Sequence, residues 1–328
     1  MARIGQVTNM AQNGTHQQAS HLPVPNSPTH GGNISSLQDR VALITGGSSG
    51  LGRAIAQAYA AAGAYIISAD LSQTPPAAPT ISSKTNEDFS TPTIDLINSH
   101  FPSSKEGVHR ASYVNCDVTD EESVKNAVGF AVQKYGRLDI IVNNAGISAE
   151  SSSPTYNGTF TRIHETDVSI LDKTLAVNVR GVWLGTKHAV AQFLAQEPHP
   201  VFGRSGSDVH RGWVINLASI LGSVGLPGAS SYVTSKGAVM QLTKATALEY
   251  AKDGIHVNAL QPGFTDTHML ETMYARSENV VQTLNALHPW GRTGRAEDIA
   301  RAAVFLAGEG AGWITGTSIV VDGGYLAQ

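Results

Sequence analysis

The sequence predicts a single doubly wound α/β domain built on a seven-stranded parallel sheet. Two observations carry that expectation. Short runs of apolar and β-branched residues alternate with longer stretches of helical periodicity, the pattern of successive βαβ units. The first unit also holds a glycine-rich turn between strand and helix, in VALITGGSSGLG at 41–52.

VALIT (41–45) is the first strand, and GRAIAQAYAAAG, after the glycines, reads as a helix. YIISA (65–69) is the second strand, and a crossover of this length returns it parallel to the first. SYVNC (112–116), LDIIVN (138–143), GWVINL (212–217), IHVNAL (255–260) and TSIVV (317–321) complete the set. Helical segments over roughly 120–135, 168–195, 231–252 and 296–307 lie between them. Two stretches break the rhythm. Residues 72–109, rich in Pro, Ser and Thr, read as an insertion, mostly loop with one short helix near 93–100. Residues 197–211, EPHPVFGRSGSDVHR, read as a second polar insertion. The domain is expected over 39–328, behind a disordered tail at 1–38.

Composition narrows the function. With 328 residues, 41% of them hydrophobic, the chain can bury a substantial core. A net charge of −4 gives no support to nucleic acid or an anionic membrane surface as a partner. No apolar run approaches the ~20 residues that span a bilayer, and the N-terminus lacks the apolar core of a secretory signal. Cys116 is the single cysteine, which excludes an internal disulfide and fits a reducing, cytoplasmic location. The histidines at 164, 188, 199, 210, 256, 268 and 288 have no metal-ligand spacing, so no metal site is expected. Trp183 and Trp213 read as core residues, and His256 as a packed or rim histidine.

The glycine turn carries the first functional signal. Gly46, Gly50 and Gly52 permit a tight turn and let the backbone approach a pyrophosphate, with Ser48, Ser49 and Leu51 completing the loop. The free N–H groups of the following helix favour an anion there. In this strand–turn–helix context the loop marks a Rossmann-type dinucleotide site. Asp70 closes the second strand, 24 residues after Gly46. A carboxylate there accepts hydrogen bonds from the adenosine ribose hydroxyls and repels a 2′-phosphate. No Arg or Lys lies between Thr45 and Gly52, and Arg53 falls inside the helix, so the balance favours NAD over NADP.

Further signatures follow in order: CDV (116–118), NNAG (143–146), VNVRG (177–181), NLAS (216–219), YVTSK (232–236), QPGFTDT (261–267), PWGRTGRAEDIARAAVFLAG and ITGTSIVVDGG. Together with TGGSSGLG they resemble the short-chain dehydrogenase/reductase family across 39–328, apart from the two insertions. The resemblance implies an NAD(P)-dependent enzyme acting on a CH–OH group. It implies that Leu71, beside Asp70, belongs to the cofactor site, and that Cys116, Asp117 and Val118 lie at the adenine. Asn144, Ala145 and Gly146, with Asn143, would form the floor beside the adenosine ribose. Pro262, Gly263, Thr265 and Thr267 would border the nicotinamide. Asn178 would interrupt its helix and hold a water.

Tyr232 and Lys236 stand four residues apart, a little over one helical turn, and so share a face. A free phenol has a pKa near 10 and is a poor base at neutral pH, but a nearby ammonium favours the phenolate. Under the resemblance, Tyr232 takes the hydroxyl proton of an alcohol as hydride leaves carbon, and protonates the forming alkoxide in reverse. Lys236 would also bind the nicotinamide ribose, Ser219 would position the substrate oxygen, and the water at Asn178 would relay protons. The segment 264–290 mixes Met269, Leu270, Met273 and Tyr274 with Thr and Asn, which suggests an apolar pocket for a bulky or cyclic secondary alcohol or ketone. An NADPH-dependent ketoreductase and a non-redox cyclase or isomerase on the same scaffold are the alternatives. The family implies a homo-oligomer, tetramer or dimer, and the polar decorations resemble those of fungal secondary metabolism.

Overall fold

The computed structural model describes residues 35–85, 88–103, 105–151, 161–200, 209–275 and 278–328. The N-terminal tail through residue 34 lies outside the described residues. All seven expected strands form, as β1 (Val41–Thr45), β2 (Tyr65–Asp70), β3 (Ala111–Asn115), β4 (Ile140–Asn143), β5 (Gly212–Leu217), β6 (Ile255–Pro262) and β7 (Ser318–Val321). They join in one sheet in the order β3-β2-β1-β4-β5-β6-β7, with every pairing parallel. Ala42 of β1 pairs with Ile66 on one side and Ile140 on the other. The chain winds outward from β1 to β3, then restarts at β4 and winds the other way. The crevice between β1 and β4 is therefore the switch point, where ligands bind in such sheets.

Helices α1 (Gly50–Ala61), α4 (Glu121–Tyr135), α7 (Ser230–Tyr250) and α10 (Ala296–Ala307) occupy the segments expected from periodicity. Between α1 and α4 the insertion contributes α2 (Pro79–Thr85) and α3 (Thr93–His100). The expected run at 168–195 is α5 (Val168–Leu175), a π-helical turn at Ala176–Arg180, and α6 (Gly181–Ala195). Before α10 lie α8 (His268–Tyr274) and α9 (Glu278–Ala286). Of these, α2, α8 and α9 go beyond the sequence expectation.

Alternation along β1 builds two cores. Ala42 and Ile44 face a layer that includes Ile55 and Tyr59 of α1 and Ile299 and Leu306 of α10. Val41 and Leu43 face the opposite layer, with Val124 of α4, Leu184 of α6 and Ala247 of α7. Tyr59 also donates its hydroxyl to the Ala303 carbonyl at 3.0 Å, tying α1 to α10. α4 follows simple end rules: Asp120 accepts the Glu122 N–H at its start, and Gly136 (φ 87°) closes its end in the left-handed region.

Trp213 is fully buried, as expected. Trp183 is a correction: it is 49% exposed on α6, with the Lys187 ammonium 5.4 Å over its ring, because its position faces away from the sheet. His256 is buried, stacks on Trp213, and sits with Nε2 2.7 Å from Nδ1 of His210. The second insertion begins and ends in a two-residue antiparallel pair, His199–Pro200 with Val209–His210, and residues 201–208 lie outside the described set.

Candidate active site

Thr45 ends β1 and organises the glycine turn. Its hydroxyl donates to the Val142 carbonyl (3.3 Å) and accepts from the N–H groups of Asn144 (3.0 Å) and Ala145 (3.1 Å). The Asn144 amide returns two hydrogen bonds, to the carbonyls of Thr45 and Gly46. The turn after β1 and the loop after β4 are thus one unit. Gly46 (φ 65°) and Gly50 (φ 52°) adopt conformations that disfavour side chains. A Cβ on Gly52 would collide with the Gly46 carbonyl oxygen. Ser49, at the N-cap of α1, makes no side-chain cap. The first N–H groups of α1 therefore keep their affinity for an anion, as a pyrophosphate site requires.

Asp70 closes β2 beside the glycine turn. Its carboxylate accepts from the N–H groups of Ser48 (3.0 Å) and Leu71 (2.8 Å). Arg53 is 1% exposed. Its guanidinium donates to the carbonyls of Thr91 (2.8 Å) and Asp88 (2.5 Å), and so fastens the insertion onto α1. The Thr93 hydroxyl adds a bond to the Ser48 carbonyl at 3.1 Å. At its other end the insertion docks on α8. Glu271 accepts the Thr80 and Ile81 N–H groups, the Lys84 ammonium pairs with Asp266, and Ile81 packs with Leu270, Tyr274 and Leu284.

The residues expected to move the proton sit on α7 and just after β5. Tyr232 is half-buried and Lys236 buried, with the ammonium 5.5 Å from the phenol ring centroid. Burial pushes the Tyr232 phenol up to about 12; a hydrogen bond with Ser219 pulls it down, and the Glu150 charge pushes it up again. Burial likewise pushes Lys236 down to about 8. The phenol is thus raised by desolvation rather than acidified by Lys236, which is not among the groups that shift it here. The Lys236 ammonium is also engaged, donating to the Leu217 carbonyl at 2.8 Å.

Asn178 lies in the π-helical turn, a distortion frequent at functional sites. Its side chain accepts the Ile147 N–H (2.8 Å) and donates to the Ile147 carbonyl (2.9 Å) and to Ser235 Oγ (3.0 Å). A Cβ on Gly146 would lie 3.4 Å from Asn178 Oδ1 and 3.5 Å from Lys236 Nζ, so the missing side chain keeps this corner open. Beneath it, Asn143 donates to Asn216 Oδ1 (2.9 Å) and Thr186 Oγ1 (3.0 Å), locking β4 to β5 and α6.

One cleft of about 600 Å³ joins these parts. The glycine turn, Asp70, Leu71, Cys116 to Val118 and Asn144 to Gly146 line one stretch. Ser219, Tyr232, Lys236, Pro262, Gly263, Thr265 and Thr267 line the rest. Five expected residues stand outside that lining: Asn143 lies beneath the floor, Tyr274 turns its hydroxyl to Asp266, and three more lie close by. Ser48 turns its hydroxyl to the Ser72 carbonyl, Gly52 packs under the turn, and Asn178 sits behind the wall. Sequence reasoning missed Lys173, Val177 and His268, which also line the cleft. Lys173 and Val177 were findable, being four residues apart on the helical run that carries Asn178. It also missed Glu150, whose carboxylate accepts the Tyr232 N–H at 3.0 Å.

The cradle fits a dinucleotide: it has an uncapped helix start, a turn whose glycines let the backbone approach, and the Asp70 carboxylate at the end of β2. Comparison with known proteins agrees. The family model described as short chain dehydrogenase matches residues 40–100, and that described as enoyl-(acyl carrier protein) reductase matches 96–326. A 2-(R)-hydroxypropyl-CoM dehydrogenase of Xanthobacter autotrophicus is 36% identical over 88% of this chain and 99% of its own. A cis-4-hydroxycyclohexanecarboxylate dehydrogenase of Sinomonas cyclohexanicum is 35% identical over 89% of this chain and 98% of its own. A structure from Agrobacterium tumefaciens with bound NADP superposes with a TM-score of 0.70, at 32% identity, covering 90% of this chain and all of that one. The fold and the site define a nicotinamide-dependent oxidoreductase. The chain belongs to the short-chain dehydrogenase/reductase family.

Proposed function

We propose that this protein is an NAD-dependent dehydrogenase that interconverts a secondary alcohol and its ketone on a bulky or cyclic small molecule. The observation that carries the reading is the meeting of Ser219, Tyr232 and Lys236 in the cleft that also holds the glycine turn and Asp70. A bound nicotinamide cofactor supplies the hydride acceptor. Ser219 and Tyr232 hold the substrate oxygen between two hydroxyls, which fixes the reacting carbon. For oxidation Tyr232 must give up its proton, and the positive charge of the oxidised cofactor joins Lys236 in favouring that. For reduction the phenol, held protonated by burial, is ready to donate.

Leu221, Leu226, Phe264, Met269 and Met273 line the cleft and suit an apolar substrate body. The ring alcohol in the name of the Sinomonas relative supports a cyclic substrate. Asp70 and the engagement of Arg53 by the insertion support NAD. The NADP in the Agrobacterium structure favours a second reading, an NADP-dependent enzyme. The exposed Trp183, Leu248, Trp313 and Val320 support assembly into a homotetramer through α6, α7 and the edge near β7. Among the described residues no helix is long and apolar enough to cross a membrane, and we assign the cytoplasm as the location.

Steady-state assays with NAD and NADP against a panel of cyclic secondary alcohols test the reading. Formation of reduced nicotinamide with a preference for NAD of about tenfold or more supports it. A preference for NADP selects the second reading. Substrate turnover with no change in cofactor absorbance rejects both.

A further inference from the structure

We propose that Glu150 is a positioning residue for Tyr232, replacing the absent cap of α7 and setting the ease with which the phenol ionises. The role rests on the reading of Tyr232 as the proton carrier.

α7 starts without a cap of its own. Its N-cap residue is Ala229, whose methyl group offers no acceptor, and its first turn contains no acidic residue. Such a helix start leaves N–H groups unpaired and carries partial positive charge. Glu150, on the loop after β4 and 82 residues away in sequence, supplies the acceptor. Its Oε1 takes the Tyr232 N–H at 3.0 Å, so the contact falls on the catalytic residue itself. The side chain is 5% exposed, and Oε2 is buried with no hydrogen-bond partner among the described residues. A half-paired buried carboxylate is an expensive way to cap a helix. Serine or aspartate at position 229 would do it locally.

What Glu150 adds is a charge behind the phenol. The titratable groups sharing the cleft with Tyr232 are Lys236 on its own helix, Lys173 from α5 and His268 from α8, with Asp70, Cys116 and Asp117 also along it. Glu150 opposes the nearby cations. Added to burial, the larger cause, it helps to hold the tyrosine protonated until the oxidised cofactor adds its own positive charge. The tyrosine is then a base only when the complex is complete.

Two substitutions separate the cap from the charge. Glu150→Gln keeps an oxygen for the Tyr232 N–H and removes the charge. Glu150→Ala removes both. Ultraviolet difference titration of tyrosinate, each protein measured against the same background carrying Tyr232→Phe, reads the phenol without substrate. We expect the phenol of Glu150→Gln to ionise about half a pH unit or more below wild type. The rising limb of kcat for alcohol oxidation should move the same way. For Glu150→Ala we expect kcat to fall about tenfold or more with substrate KM nearly unchanged, as the phenol shifts out of line. Coincident titration curves for Glu150→Gln and wild type overturn the proposal. So does full kcat in Glu150→Ala. If Glu150→Ala does not fold, the Gln variant decides. Failure of wild type to reduce cofactor with any alcohol would reject the dehydrogenase reading instead, and the titration would still decide whether Glu150 tunes the phenol.

Discussion

Lys84 and Asp266 join the insertion to the substrate side of the cleft, with 2.8 Å between the ammonium on α2 and the carboxylate just before α8. Asp266 is buried and also receives the hydroxyls of Tyr274 (2.7 Å) and Thr293 (2.8 Å). Lys84→Met leaves that carboxylate with neutral donors only. The expected loss is about 2 kcal/mol of stability, seen as a fall of several degrees in Tm. Because α8 carries cleft residues Met269 and Met273, KM for the alcohol should rise several-fold while cofactor affinity holds.

Tyr232→Phe removes the hydroxyl and little else. A general acid–base group contributes about 10²- to 10⁴-fold, so kcat should fall within that range. Cofactor affinity, measured by fluorescence titration, should change by no more than about threefold. Retention of wild-type kcat would exclude proton transfer at this residue.

Asp70→Ala tests the cofactor assignment. Loss of the carboxylate removes both ribose hydrogen bonding and the repulsion of a 2′-phosphate. KM for NAD should rise about tenfold and the preference over NADP should narrow. An unchanged ratio would place nucleotide selection elsewhere in the cleft.

Stability should weaken toward acid pH because of His256. Burial first, then the neighbouring His210, push its pKa from 6.5 down to about 4. Between those values the unfolded chain binds a proton that the folded one refuses, so unfolding becomes easier as pH falls from 6.5 toward 4. The contribution, present in full above the upper value, is about 3 kcal/mol at most. Thermal unfolding across this range should show a smaller acid loss for His256→Asn than for wild type.

The sheet was legible because its signals are local. Four of the seven strands, β1, β4, β5 and β6, are buried along their whole length, and such strands read as largely apolar runs. The glycine turn and Tyr232–Lys236 are short-range patterns whose spacing survives without the fold. α2 was not legible. PTISSKT is poor in strong helix formers. Its first N–H groups are bonded by Glu271, about 190 residues on, so tertiary contact makes the helix. Glu150 was hidden for the same reason, since only the folded chain brings it to α7. The half-exposed Trp183 escaped because one residue in a mostly apolar helix does not declare which way it faces.

The grip of Arg53 on Thr91 and Asp88 limits how this enzyme can be re-engineered. Trimming 72–109 to the tight connection usual between such strands would remove two of the carbonyl acceptors that the guanidinium on α1 uses, and the cover over it. A shortened version would change the surroundings of position 53 in the same step. Any chimera that swaps the loop must therefore carry position 53 with it.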